Sequence, residues 1–175
     1  MNVYELYPDA NVYQGFLSDE SLENPVFCNG DPITSWSPLK ITLIPDHESR
    51  PKSDFPACFT GLIGSVVSQR AVDLLGDILL ANGELLPLIY EGEDTCFAYN
   101  VTNIIDVLDK EETQRRNRSS ITRPAFCLDK IGDNIIFKVP ETRLVRTYVT
   151  DGFIEKVQST PLTGFKFRHL WPPTA

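Results

Sequence analysis

Ser65-Val-Val-Ser-Gln-Arg-Ala-Val-Asp-Leu-Leu-Gly-Asp-Ile-Leu-Leu-Ala-Asn-Gly-Glu-Leu-Leu-Pro-Leu-Ile-Tyr90 is the most strongly patterned stretch of this 175-residue chain. Val67, Ala71, Leu74, Leu75, Ile78 and Leu79 recur at i, i+4, i+7, i+8, i+11 and i+12, the apolar stripe of an amphipathic helix. Ser68 stands where an N-cap belongs, its hydroxyl placed to accept from a free amide of the first turn. Val67 and Val72 have the spacing of a hydrophobic staple across that cap. Asn82-Gly83 predicts a left-handed C-cap. Residues 85–90 then read as a strand that Pro87, lacking an N–H, steers to a sheet edge or a bulge.

Outward from this helix, the acidic tetrad Glu91-Gly92-Glu93-Asp94 predicts a tight turn. Beyond it, residues 95–101 continue as a strand with Phe97, Tyr99 and Val101 on one face, closing a hairpin with 85–90. Upstream, residues 3–7, 11–17 and 39–44 read as short strands. Residues 18–38 and 45–55 are rich in Pro, Asn, Gly and charge and read as loops. Downstream, 103–109 suits a helical turn as well as a strand. Residues 110–123, with Arg115, Arg116, Arg118 and Arg123, read as an exposed basic connection. Residues 124–128, 134–139 and 144–149 are β-rich, Thr150-Asp151 predicts the cap of a second helix, and 163–168 alternates as a last strand. This order does not alternate as βαβ units do, so the expectation is an α+β fold: mostly antiparallel sheets packed with two or three helices in a single domain. Residues 1–58 form either a small β lobe or strands of the main fold, with 59–175 as the principal unit.

Composition narrows the function. The chain is 42% apolar and 23% charged, as ordinary globular proteins are, and long enough for a sizeable core. Residues 1–100 hold 15 acidic and 4 basic residues, a net of −11, and residues 101–175 hold 9 and 12, a net of +3, together the overall −8. So acidic a half disfavours nucleic acid as partner, because phosphate binding needs clustered Lys and Arg, and suits a basic protein. No apolar run reaches the length of a membrane span. The N-terminus shows no basic and then apolar leader pattern, which predicts a cytoplasmic protein. Cys28, Cys58, Cys96 and Cys127 lie about thirty residues or more apart and read as reduced thiols rather than a zinc or disulfide framework.

Catalytic signatures are weak. His47 and His169 have no second histidine or cysteine at metal-ligand spacing, and there is no G-x-S-x-G. Gly61-Leu-Ile-Gly-Ser lacks the lysine of a phosphate loop. The expectation is a non-enzyme with no cofactor and no metal. An enzyme with a spatially assembled site and a protein-binding adaptor are the alternatives.

Seven segments in order carry a resemblance: Val67-Ser-Gln-Arg-Ala-Val-Asp-Leu-Leu75, Glu84-Leu-Leu-Pro-Leu88, Phe97-Ala-Tyr-Asn-Val101, Ile105-Asp-Val-Leu-Asp-Lys-Glu111, Ile136-Phe-Lys-Val-Pro140, Val149-Thr-Asp-Gly-Phe153 and Leu162-Thr-Gly-Phe-Lys-Phe167. Together, over roughly residues 59–171, the chain resembles the immunity protein 11 family of bacterial polymorphic toxin systems. The resemblance implies a cytoplasmic inhibitor that binds the toxic domain of a cognate effector. By analogy with acidic inhibitors of basic toxins, the contact residues expected are Asp46 and Glu48 in one loop and Glu91, Glu93 and Asp94 in the tight turn.

Overall fold

The computed structural model describes residues 1–19, 25–92, 95–117 and 120–173. The first part of the chain gives strands β1 (Val3–Pro8), β2 (Gly15–Ser18), β3 (Val26–Phe27) and β4 (Lys40–Leu43), then a 3₁₀ turn (Pro45–His47) and β5 (Ala57–Cys58). Next come β6 (Leu62–Ile63), β7 (Ser65–Ser68), helix α1 (Gln69–Asn82), β8 (Gly83–Pro87), β9 (Ile89–Tyr90) and β10 (Cys96–Val101). The rest holds β11 (Gln114–Asn117), β12 (Ser120–Arg123), α2 (Leu128–Ile131), β13 (Ile136–Phe137), β14 (Thr147–Thr150), α3 (Asp151–Gln158) and β15 (Phe165–Trp171). The fold is α+β, with mostly antiparallel sheets.

Helix α1 starts as its sequence dictates. Ser68 is extended, and its Oγ accepts from the Ala71 amide at 3.0 Å, satisfying a donor that has no partner within the helix. Ala71, Leu75 and Leu79 are buried, and Val67 and Val72 pack into the same cluster on either side of the cap. Leu74 departs from expectation and is 47% exposed. Successive residues lie about 100° apart around a helix, so Leu74 sits that far from Leu75, at the rim of the buried stripe. The C-terminus departs too. Gly83 is extended (φ −178°, ψ −166°) rather than left-handed, because the chain runs straight from α1 into β8. Glycine is required there for another reason: a Cβ would stand 2.4 Å from the Asn100 carbonyl oxygen and 2.8 Å from the Tyr99 ring.

The hairpin forms as expected. β10 is the centre of a three-stranded sheet, order β7-β10-β8, with Phe97 opposite Pro87 and Val101 opposite Gly83. Pro87 lies on an edge strand, where its missing N–H costs no ladder bond. The sheet is apolar on both faces. Phe97, Tyr99 and Val101 pack with α1, while Cys96 and Ala98 face a second cluster that includes Phe16, Ile41, Val66 and Leu86. The expected 85–90 strand is divided: the chain leaves β8 at Leu88, and β9 pairs in parallel with β4 in a sheet of order β5-β2-β4-β9.

A second four-stranded sheet has the order β13-β14-β1-β15. The N-terminal strand β1 therefore lies between two strands from the C-terminal part of the chain, antiparallel to both. Leu6, Ile136 and Val149 from this sheet share the α1 cluster with Phe153 and Val157 of α3. Its other face meets Phe126, Ile131, Val107 and Leu108 through Val3, Phe137 and Tyr148. Helix α3 begins at Asp151 as expected, but the Thr150 side chain does not cap it. The Asp151 carboxylate accepts instead from the Asn2 amide at 2.7 Å and the Tyr4 hydroxyl at 3.1 Å. Burial disfavours ionisation of Asp151, yet these donors outweigh it and hold the carboxyl below its usual range.

Residues 110–123, expected as an exposed basic connection, are largely exposed but carry regular structure. Gln114–Asn117 and Ser120–Arg123 form an antiparallel pair, secured by the buried Ile121 and by the Ser120 amide donating to Asn117 Oδ1 at 2.9 Å. All four cysteines are free thiols, Cys28 and Cys96 buried.

Candidate functional site

Parallel pairing of β4 and β9 sends both strands out at the same end of their sheet. The 3₁₀ turn follows β4 there, and Glu91 follows β9 directly. Two segments that are 45 or so residues apart in sequence, each singled out for its acids, are thereby brought to one side of the molecule. Asp46 and Glu48 are both exposed. Glu91 is exposed as well and forms an ion pair with Lys40 of β4 at 2.6 Å. Its hydrogen bond and charge attraction to Lys40 hold the Glu91 carboxyl below the ordinary glutamate range. Glu93 and Asp94 lie outside the described residues.

Beside these segments lies a cleft of about 420 Å³ whose lining includes Lys52 and Arg70 but none of Asp46, Glu48 and Glu91. On one side Gln14 donates through its amide side chain to the Glu48 carbonyl (3.4 Å), and through its backbone to that of Pro51 (3.0 Å). On the other side are Tyr90 and Thr95, which flank the acidic stretch 91–94 in sequence. Phe16 and Tyr90, edge to face with ring centres 5.0 Å apart, make the apolar wall. The floor is the start of α1: Ser68, Gln69 and Arg70, backed by Asp54 and Thr163.

Asp54 organises that floor. Only 5% exposed, it accepts from the Ser68 hydroxyl (2.9 Å), the Thr163 amide (2.9 Å) and hydroxyl (3.3 Å), and Arg70 (3.5 Å). Its carbonyl accepts from the Ser68 amide at 3.0 Å. A buried carboxylate demands such saturation, since unpaired it would cost several kcal/mol. Ser68 is equally committed: its proton goes to Asp54, and its oxygen accepts from Ala71. The hydroxyl thus holds a junction of loop, helix and C-terminal segment rather than standing free as a nucleophile. Neither histidine lines the cleft. The His47 ring packs against Phe59, centres 6.2 Å apart, and the His169 ring against Tyr4, 5.2 Å apart.

Among the described residues no three His, Cys, Asp or Glu side chains are grouped to hold a metal, and no helix is long and apolar enough to cross a membrane. Arg115, Arg116 and Arg123 are exposed on the β11–β12 ribbon; Arg118 lies outside the described residues. No protein-family model matches this sequence, and no curated protein is significantly similar to it.

Sequence reasoning missed Asp54, whose partners are at least 14 residues away. It also missed Lys138, which is 4% exposed. The Lys138 ammonium donates to the Cys28 carbonyl and, at 2.8 Å, to that of Arg143. A signal for Lys138 did exist: one lysine inside the apolar run Ile135-Ile-Phe-Lys-Val139.

Proposed function

We propose that this chain is an immunity protein, a non-enzymatic inhibitor that binds a cognate toxin domain through the face bearing Asp46, Glu48 and Glu91. One observation carries the reading: parallel pairing of β4 with β9 sends two acidic segments distant in sequence out at the same end of one sheet, beside a cleft walled by Phe16 and Tyr90. A concave site with an aromatic wall and charged segments beside it fits the anatomy of a protein-binding hot spot. The ordered motifs of residues 59–171 support the same class, and the net −11 of the first hundred residues would steer a basic partner toward this face. Glu93 and Asp94 belong to the same turn in sequence and extend the proposed contact set. The partner is a protein; no cofactor or metal takes part.

The direct test is a rescue assay. The C-terminal domain encoded immediately upstream of this gene is expressed alone and together with the chain. Restored growth and a co-purifying 1:1 complex are expected; a harmless neighbour, or toxicity left unrelieved, overturns the proposal. Within such a complex, reversing Asp46, Glu48 and Glu91 to Lys should slow association about tenfold at low salt and flatten its salt dependence. Stopped-flow rates at two ionic strengths check this, and an unchanged rate and slope would remove these acids from the interface.

A further inference from the structure

The sheet β13-β14-β1-β15 ends on β15, seven residues long, and among the described residues β1 alone pairs with it. Its hydrogen bonds tell which backbone groups face outward. The Asp9 amide donates to the Gly164 carbonyl at 2.9 Å, one step beyond the Pro8–Phe165 pair. Bonding alternates along an antiparallel ladder. Lys166 and Arg168 therefore turn their amides and carbonyls toward β1, and Phe167 and His169 turn theirs away. On that outer side no backbone group among the described residues bonds to Phe167 or His169. The start of the edge is closed, because the Asp54 amide donates to the Thr163 carbonyl at 3.1 Å; the open part begins after Phe165.

Side chains alternate across the strand. Phe165 and Phe167 are half-buried on the face that packs with α1 and α3, each edge to face with Phe153 at 6.3 Å between ring centres. Lys166 and Arg168 lie on the opposite face, each against an acid: Lys166 pairs with Asp9 at 3.1 Å, and Arg168 with Glu5. These acids are nearly covered, their side chains 15% and 14% exposed, while the two bases stand outermost at 43% and 57%. Arg146, 3.8 Å from Glu5, sets a third base against the two acids. The open edge thus offers unpaired backbone between an aromatic face and a cationic one.

We infer that the free edge of β15 is a docking site for an extended acidic segment of a protein partner. The segment adds as a fifth strand, its apolar side chains beside Phe167 and its carboxylates beside Lys166 and Arg168. In strand addition the backbone supplies the hydrogen bonds, and alternate side chains select the partner. Charge complementarity chooses the occupant here. Two-fold pairing of β15 with itself, centred on Phe167 or on Arg168, sets Lys166 opposite Arg168 or Arg168 opposite its own like. Like charges directly opposite across strands are destabilising, so the charges that guard this edge against a second copy favour an acidic strand. The inference does not rest on the immunity reading, whose partner is basic and meets another face.

The test uses an eight-residue peptide of alternating Val and Glu, titrated into the full chain and followed by amide chemical shifts. Saturable 1:1 binding is expected, with the largest shifts along residues 166–170 and slowed hydrogen exchange at the Phe167 and His169 amides. Replacing each Glu of the peptide by Lys should weaken binding about tenfold or more. N-methylation of the alternate set of peptide amides that faces β15 should abolish binding, and methylation of the other set should change it less than twofold. This peptide series tests the inference without altering the protein. Absence of saturable binding, shifts centred away from β15, equal affinity for the Lys peptide, or equal loss with either methylated set would overturn it. Sedimentation showing a dimer in which the Phe167 and His169 amides are protected would overturn it in favour of a second copy. None of these outcomes bears on rescue from a toxin, so the two proposals fail separately.

Discussion

Gly76 and Gly83, seven residues apart, should respond in opposite directions to the same substitution. Gly76→Ala adds a methyl group to open space in a helix interior, so it should stabilise the fold by about 0.5–1 kcal/mol. Gly83→Ala would drive a methyl into the Asn100 carbonyl and the Tyr99 ring, at 2.4 and 2.8 Å. Both belong to the paired strand β10 and its packed face, and neither is the far end of a flexible chain. Overpacking of that kind costs about 1–3 kcal/mol. Urea unfolding of the two variants checks the pair, with midpoints moving up for the first and down for the second. Equal shifts would mean that the α1–β8 junction yields more readily than its contacts indicate.

At the scale of elements, the junction of Asp54, Ser68 and Thr163 fixes where α1 begins and what lies beneath the cleft. Ser68→Ala removes a cap and should cost about 1 kcal/mol. Asp54→Ala strips four donors of their acceptor and should cost about 2–4 kcal/mol. Because the two side chains bond each other at 2.9 Å, the double variant should lose less than the sum. A double-mutant cycle in urea measures that coupling, and strict additivity would show the bond to contribute nothing. The same junction marks how far the sequence could be read. Ser68, the Ala71/Leu75/Leu79 stripe and the Phe97/Tyr99/Val101 alternation are local patterns, and each was legible. Asp54 was not, because nothing in a polar loop announces partners in α1 and near Thr163. The sheet change at Leu88 and the pairing of β4 with β9 are equally non-local. They depend on which edges meet, and they bring Glu91 to the side of Asp46 and Glu48. The ribbon 114–123 was missed for another reason: arginines fill the positions where alternating apolar residues would have marked its strands, leaving Ile121 alone to show an inward face.

At the scale of the whole molecule, N- and C-terminal segments are interleaved. β1 fills the space between β14 and β15, so a chain of residues 59–175 alone would lose the middle of its second sheet. That truncation should be insoluble or lack a cooperative unfolding transition, whatever the resemblance over 59–171 suggests about a separable unit. Lys138 fastens the same two regions, joining the carbonyls of Cys28 and Arg143, and it makes stability depend on pH. Burial, opposed by the charge of Cys28 and aided by Arg143, pushes the Lys138 ammonium down to about 8 from the ordinary 10.5. Burial likewise pushes the Cys28 thiol up to about 11 from 9. Between pH 8 and 10.5 the unfolded chain keeps a lysine proton that the folded chain has released, so this group makes stability rise with pH. Between pH 9 and 11 the folded chain keeps a thiol proton that the unfolded chain has released, and stability falls. Lys138 dominates from pH 8 to 9, where it should contribute a gain of about 1 kcal/mol that the thiol begins to offset as pH nears 9; above pH 9 the two offset each other. Lys138→Met should remove the gain from 8 to 9, whatever its effect on absolute stability, and Cys28→Ala should extend the rise toward pH 10.5. Urea midpoints for the three proteins at pH 7.5, 8, 9 and 10 separate the contributions, and parallel pH profiles for wild type and Lys138→Met would show that the lysine keeps its proton in the fold.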